Sequence, residues 1–203
     1  KVILIKASPM LDIQAALTHL PEVNEVHVVA VKNGVKELLF LYNGNNEKTK
    51  VIAAELGENR EQRFSFTLEE EMTVSVNYSL PLKYLVLPYA CILKAGAFKS
   101  FAVRNGLSKL HPHTHLYTAN ELPEQVNGRV FEVLEELKLD KKTLKARFSN
   151  GKVNVLTRNY PIKPDLIKKR YKLKDGGDEY LIACTLMEGQ TSVLRCKLSQ
   201  ESS

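Results

Sequence analysis

The chain opens on an unbroken apolar run, Val2 to Ile5 within KVILIKA, bounded by the turn residues Ser8-Pro9. A continuous run of this kind predicts a fully buried β-strand over residues 2–7. Ser8 as N-cap and Pro9 at the first helical position predict a helix start, and Met10, Ile13, Leu17 and Leu20 then form one apolar stripe that Pro21 ends. Two β runs follow, 25–32 and 35–42. Asn33-Gly34 between them predicts a tight hairpin, because both turn positions need positive φ. The order is strand, helix, antiparallel hairpin. A parallel βα unit buries its strand only under further parallel strands, so those strands are expected upstream of Lys1.

The next stretch is acidic and irregular, carrying Glu55, Glu58, Glu61, Glu69, Glu70 and Glu71, with strands expected near 63–67 and 73–78. Pro88 predicts the start of a helix running to Arg104 and closed by Asn105-Gly106. Thr118 to Glu121 gives a T-x-x-E capping pattern for a short helical turn, which Pro123 limits. From Gly128 the pattern becomes regular. It reads as a strand over 129–134, a helix from the N-cap Asp140 to Ser149 closed by Asn150-Gly151, and a strand over 152–157. A helix over 164–171 and a hairpin of 179–187 with 191–198 complete it. This βαβαββ order fits a small α/β domain with two helices on its sheet.

Composition narrows the class. With 203 residues, 44% of them hydrophobic, the chain can bury a core as one large domain or two to three small ones. No apolar run reaches the roughly 18 residues that span a bilayer, and the N-terminus lacks a signal-peptide pattern, so no membrane partner and a cytoplasmic location are expected. The three cysteines are odd in number and form no C-x-x-C pair, which argues for free thiols rather than a disulfide framework or thiolate zinc site. Charge changes the picture more. Between Lys138 and Lys174 thirteen Lys or Arg face two acids, Asp140 and Asp165, giving +11 in that segment and −5 in the rest of a chain whose net charge is +6. Such asymmetry points to a polyanion partner on the C-terminal side.

The strand, helix and hairpin order at the start is also the closing end of the sheet in class I S-adenosylmethionine-dependent methyltransferases. The segments LKYLVLPYACILKAGAFKSFAVRNGLSKLHPHTHLYTANEL, GRVFEV, TRNYP and LKDGGDEYLIAC resemble the C-terminal half of a bacterial family of such enzymes that ends in ferredoxin-like and THUMP-like domains, and KASPMLD resembles its fifth-strand exit. The resemblance implies an α/β fold: the end of a Rossmann-like methyltransferase sheet over 1–80, a ferredoxin-like segment over 81–123 and a THUMP-like domain over 124–203. It also implies S-adenosylmethionine as cofactor, bound mainly by an upstream half that this chain lacks. No G-x-G-x-G turn follows a strand here, so no catalytic residue is assigned and the chain alone is expected to be inactive.

Each candidate site has a plainer alternative. Lys6, Ser8 and Pro9 stand at the carboxyl end of the first strand, the edge where open α/β sheets take ligands, and so border a substrate pocket; alternatively Ser8-Pro9 only starts a helix. His111, His113 and His115 alternate in HPHTH and would project to one side of an extended segment, a geometry open to zinc, but Pro112 weighs against a regular strand and, with no Cys or carboxylate beside them, no metal is assigned. Lys141, Lys142, Lys145, Arg147, Arg158, Lys168, Lys169, Arg170, Lys172 and Lys174 are read as RNA-binding, with Leu166, Ile167 and Tyr171 anchoring the second basic helix. THUMP-like domains, whose namesake binds RNA, favour the same partner. Tyr160 is either a base-stacking residue or a core tyrosine. The function expected is the C-terminal portion of a methyltransferase acting on RNA; a non-catalytic nucleic-acid-binding module is the alternative.

Overall fold

A computed structural model describes residues 1–45, 47–58 and 61–200, and divides the chain into two compact units. Of the described residues, the first comprises 1–75 and 88–104, and the second 76–87 and 105–200.

The first unit holds a five-stranded sheet in the order β1-β3-β2-β4-β5. Its strands are β1 (Ile3–Ala7), β2 (Glu25–Val31), β3 (Gly34–Tyr42), β4 (Lys50–Leu56) and β5 (Glu61–Thr67). In β2 the alternation works as written: Val26, Val28 and Ala30 are buried while Glu25, His27 and Val29 are partly exposed. The first strand departs from expectation. It pairs antiparallel with β3 alone, and Val2, Ile3, Leu4 and Ile5 are 69, 40, 60 and 40% exposed. An edge strand with one neighbour has nothing to bury its side chains against.

Helix α1 (Ile13–His19) begins four residues later than Ser8 predicted. Asp12 is the cap, its carboxylate accepting from the Ala15 N–H at 2.8 Å, and Met10 lies outside the helix at 87% exposed. The hairpin is present, but its two turn residues are Lys32 and Asn33, at φ 51° and 56°, with Val31 opposite Gly34. Asn33 is held there on both sides: its N–H donates to Glu55 Oε1 and its Oδ1 accepts from the Ala90 N–H, each at 2.7 Å.

Sequence reasoning missed β4, whose AAEL ending reads as helical. Tertiary pairing overrides that propensity, since β4 runs parallel to β2 and antiparallel to β5 with Val51 to Ala54 buried on both faces. The strand expected near 73–78 is absent. Thr67 instead caps helix α2 (Leu68–Thr73), and Glu69, Glu70 and Glu71 fill its first turn, where a helix favours negative charge.

The predicted helix from Pro88 to Arg104 is two helices, α3 (Ala90–Ala95) and α4 (Lys99–Arg104), because Gly96 takes φ 81° and ends the first. Glu71 starts the second. Its carboxylate accepts from the N–H groups of Phe98, Lys99 and Ser100 at 3.1, 2.7 and 2.9 Å, and from Ser100 Oγ at 2.7 Å. Phe101 of α4 then packs on Phe64 of β5 at 5.7 Å between centroids, a contact contributing about 0.5–1.5 kcal/mol beyond its burial.

The second unit is built on a seven-stranded sheet containing β6 (Tyr84–Pro88), β7 (Ser108–Lys109), β8 (Tyr117–Ala119), β9 (Gly128–Glu136), β10 (Asn154–Arg158), β11 (Glu179–Thr185) and β12 (Thr191–Gln200). Their order is β10-β11-β12-β9-β6-β8-β7. Pro88 ends β6 rather than opening a helix. Thr118 caps no helix either: it is a fully buried strand residue whose Oγ1 donates to Tyr84 O at 2.7 Å and accepts from the Leu82 N–H at 2.8 Å. Helices α5 (Lys141–Arg147) and α6 (Pro164–Tyr171) lie where the pattern puts them, and α6 joins the parallel pair β10 and β11.

One face of this sheet, bearing Val153, Val155, Leu181, Ala183 and Val193, is buried with Leu144, Phe148 and Ile167 of the helical layer. All three cysteines are free and buried. The register of β11 and β12 places Cys184 opposite Ser192 and Cys196 opposite Tyr180, so the two thiols are not cross-strand partners. The connection turns about Glu188, which takes φ 62°, and not about Gly189.

Candidate nucleic-acid interface

The basic helices owe their position to a few apolar and capping residues. Asp140 Oδ1 accepts from the Thr143 N–H and Oδ2 from Thr143 Oγ1, both at 2.9 Å, and these bonds hold the carboxyl below its usual range while starting α5. Leu144 and Phe148 face the core. Lys141, Lys142 and Lys145 are left in water. On α6, Ile167 is fully buried, which contributes about 1.5–3 kcal/mol, and Tyr171 packs beside it with its hydroxyl donating to Leu139 O at 2.8 Å. Leu166, expected as a third anchor, points outward at 57% exposed. The helix stops at Lys172, which adopts φ 57°.

Beyond that stop the backbone forms a short ladder, the Val153 N–H donating to Lys174 O at 2.9 Å and the Lys174 N–H to Gly151 O at 2.8 Å. It draws Lys152 beside Lys172 and Lys174. Lys152 was not among the residues assigned from sequence, since charge counting along a chain cannot show which loops pair.

The cations are not equivalent. Lys168 lies 2.8 Å from Asp175 and 3.0 Å from Asp165, which raises its pKa, and its side chain is only 22% exposed. Asp175 falls just outside the window of thirteen cations. Arg147 is exposed but bonds Glu135 at 3.0 Å; Glu135 is shared with Arg195, whose hydrogen bond is the main reason the carboxyl sits below its usual value. Lys141, Lys142, Lys145, Lys169, Arg170, Lys172 and Lys174 are exposed and make no ion pair among the described residues, with Arg170 lying 5.5 Å from the Tyr171 ring.

Arg158 does not belong to this surface. Val153 and Val155 face the helices, and side chains alternate along a strand, so Asn154, Leu156 and Arg158 occupy the opposite face. Tyr160 is a core residue packed against the helical layer, and burial raises its pKa.

HPHTH is the connection between β7 and β8. His111 Nδ1 accepts from the His113 N–H at 3.1 Å, and Asn159 Nδ2 reaches the same nitrogen at 3.3 Å. His115 takes φ 51°, and burial, with Lys109, His113 and Arg158 nearby, pushes its pKa down to about 4. Among the described residues no group of three His, Cys, Asp or Glu is placed to hold a metal.

In the first unit, Lys6 bonds Glu37 at 2.9 Å with both side chains exposed. Ser8 and Pro9 form a turn, the Met10 N–H donating to Ser8 Oγ at 3.2 Å and the Leu11 N–H to Ser8 O at 3.0 Å. A cleft of about 340 Å³, unmarked in the sequence, is lined by Asn24, Asn43, Lys50, Glu70 and Arg104 among others. Arg104 Nε donates to Glu70 Oε1 at 2.8 Å there. Ion-paired side chains line this cleft rather than the Gly-rich turn that cradles a nucleotide.

Comparison with known proteins bears on both units. Residues 84–126 match the ferredoxin-like domain family and residues 128–198 the THUMP domain-like family. The chain carries both domains. Two Mycobacterium tuberculosis proteins, from strains CDC 1551 / Oshkosh and ATCC 25618 / H37Rv, are each 32% identical to it over 95 residues, 45% of this chain and 26% of theirs. Both are described as uncharacterised S-adenosylmethionine-dependent methyltransferases. A crystal structure from Porphyromonas gingivalis W83, described as a candidate methyltransferase, superposes over 98% of this chain and 52% of its own with a TM-score of 0.91 and 35% identity. The chain is thus homologous to S-adenosylmethionine-dependent methyltransferases, and it spans about half the length of the solved relative. No described helix is long and apolar enough to cross a membrane.

Proposed function

We infer that this chain is the C-terminal portion of an S-adenosylmethionine-dependent methyltransferase acting on RNA, in which it supplies the end of the catalytic sheet and the RNA-docking domains. The observation that carries the reading is the first strand. A strand with Val2, Ile3, Leu4 and Ile5 exposed and one edge unpaired is built to be covered and extended by further parallel strands. The order β1-β3-β2, with β3 antiparallel to both neighbours, is that of the last three strands of a class I methyltransferase sheet.

The cofactor then belongs to residues outside this chain. Lys6, Ser8 and Pro9, at the carboxyl end of β1, border the pocket for the methyl acceptor. The exposed cations of α5 and α6 hold the phosphates of an RNA chain, the THUMP-like domain supporting that partner, and the setting is cytoplasmic. The chain alone is inactive.

The test is methyl transfer by the whole protein from labelled S-adenosylmethionine to total RNA and, in parallel, to total protein from a strain lacking it. Label in RNA, with none transferred by residues 1–203 alone, is the expected result. Label confined to protein, or absence of transfer by a folded full-length protein that binds RNA, would overturn the reading and favour a non-catalytic binding module.

A further inference from the structure

We propose that α6 carries a seat for one unpaired nucleobase, formed by Leu166 and Arg170, and that the RNA held by this surface is single-stranded. The seat rests on the RNA reading above and deepens it, naming what the strand offers besides its phosphates.

The helical period places the seat. With Ile167 turned into the core, a step of about 100° per residue sets Leu166 about 100° and Arg170 about 60° to one side of it, and Lys168 about 100° to the other. Leu166 and Arg170 are four residues apart, so their side chains are neighbours on the helix surface. Leu139, Tyr160, Ile162 and Tyr171 pack against the core that holds Ile167. Leu166 stays outside it, exposed.

A single exposed leucine is ordinary on a protein surface. The charge around Leu166 is what sets it apart. On the flank of Lys168 the acids are gathered, Asp165 at 3.0 Å and Asp175 at 2.8 Å from its ammonium. On the flank of Leu166, Lys163 caps the helix three residues earlier and Arg170 follows one turn later. Both are exposed, and neither makes an ion pair among the described residues. An apolar side chain set between two such cations suits a ligand that is apolar in one part and anionic in the next, as a nucleotide is.

Arg170 supplies the flat partner. Its guanidinium carbon lies 5.5 Å from the centre of the Tyr171 ring, and that ring is anchored through its hydroxyl, which donates to Leu139 O at 2.8 Å. A planar cation beside an anchored ring is restrained, and unpaired bases stack on guanidinium planes as they do on aromatic rings. Leu166 adds apolar surface against which the base leaves water, while Lys163 and the lysines of the helices take the phosphates. In a duplex the bases are paired and stacked on one another, so their faces do not reach such a seat.

The test uses the full-length protein, titrated with a short single-stranded oligoribonucleotide carrying an internal 2-aminopurine and separately with the blunt duplex of the same sequence. Binding of the single strand should change the 2-aminopurine emission. Leu166→Ala should weaken single-strand binding about tenfold, abolish the emission change and leave the duplex affinity as it was. An apolar contact releases no counterions, so the salt slope should hold, whereas loss of a phosphate contact would lower it. Arg170→Lys keeps the charge and loses the plane, and should lower single-strand affinity several-fold at the parental slope. Leu166→Met, which keeps an apolar tip, should bind as the parent does.

A Leu166→Ala protein that binds the single strand with parental affinity, or that loses single strand and duplex alike, would overturn the seat. A parent that binds neither RNA would overturn the RNA reading and the seat with it, so the parent alone tells the two failures apart.

Discussion

The RNA-docking reading makes a quantitative demand on the exposed lysines. The perturbation is a quadruple neutralisation, Lys142→Gln, Lys145→Gln, Lys169→Gln and Arg170→Gln. All four side chains are exposed, none makes an ion pair among the described residues, and the core contacts of their helices come from Leu144, Phe148, Ile167 and Tyr171. Gln matches Lys and Arg in helix propensity, so folding should change mainly through lost charge near the helix C-termini, about 0.3–1 kcal/mol for each of Lys145, Lys169 and Arg170. Each phosphate contact on a single strand contributes a slope of about −0.7 to log K against log salt. Four contacts then contribute about −2.8, which is about a 50-fold loss of affinity between 50 and 200 mM salt. Anisotropy titrations of a labelled mixed-sequence 12-mer RNA over that salt range read the slope directly. The quadruple variant should lose about three units of slope. Lys168→Gln is the control: its charge already serves Asp165 and Asp175, so the slope should hold. A folded quadruple variant with parental affinity and slope would remove α5 and α6 from the RNA surface.

Three further outcomes follow from other parts of the chain. Glu71→Ala should destabilise the first unit by about 2 kcal/mol in chemical denaturation, because one charged carboxylate satisfies three N–H groups and a hydroxyl at the start of α4; a loss below about 0.5 kcal/mol would contradict that role. His115 has a folded pKa of about 4, depressed from 6.5, so the unfolded chain binds the extra proton and stability should fall as pH drops from about 6.5 to 4, by about 1–3 kcal/mol. Asn tolerates the left-handed backbone there, and His115→Asn should flatten that dependence; an unchanged pH profile would refute the assignment. In the full-length protein, Lys6→Ala with Ser8→Ala should lower kcat/KM by about tenfold if these residues position the acceptor, and unchanged kinetics would remove them from the pocket.

The chain's own pattern carried some elements and hid others for identifiable reasons. Periodicity and capping placed α6 to the residue and α5 to within two, since Asp140, Pro164 and the glycine stop after Asn150 are local signals. What failed was non-local. Thr118 matches a capping box but is drawn into β8 by Tyr84 and Leu82, 34 and 36 residues away. Glu71 reads as one more surface acid until the N–H groups of residues 98–100 close on it. Within the interface, sequence supplied the cations but not their neutralisation, because Glu135 and Asp175 reach Arg147 and Lys168 through the fold. It also grouped Arg158 with the helices, although the two-residue period of β10 turns it to the other face.

That separation of faces sorts the cations by what each can do. On α5 and α6 they stand in water, where attraction to a phosphate is weak per contact, indifferent to sequence, and screened over about 8–10 Å at physiological salt. Arg158 is half-buried on the opposite face, so it adds nothing to that exchange. Raising salt to about 0.3 M should therefore remove most of the RNA binding, and Arg158→Gln should leave both affinity and salt slope unchanged. A slope that falls in Arg158→Gln would mean that the opposite face takes a phosphate and that the helices do not hold the strand by themselves.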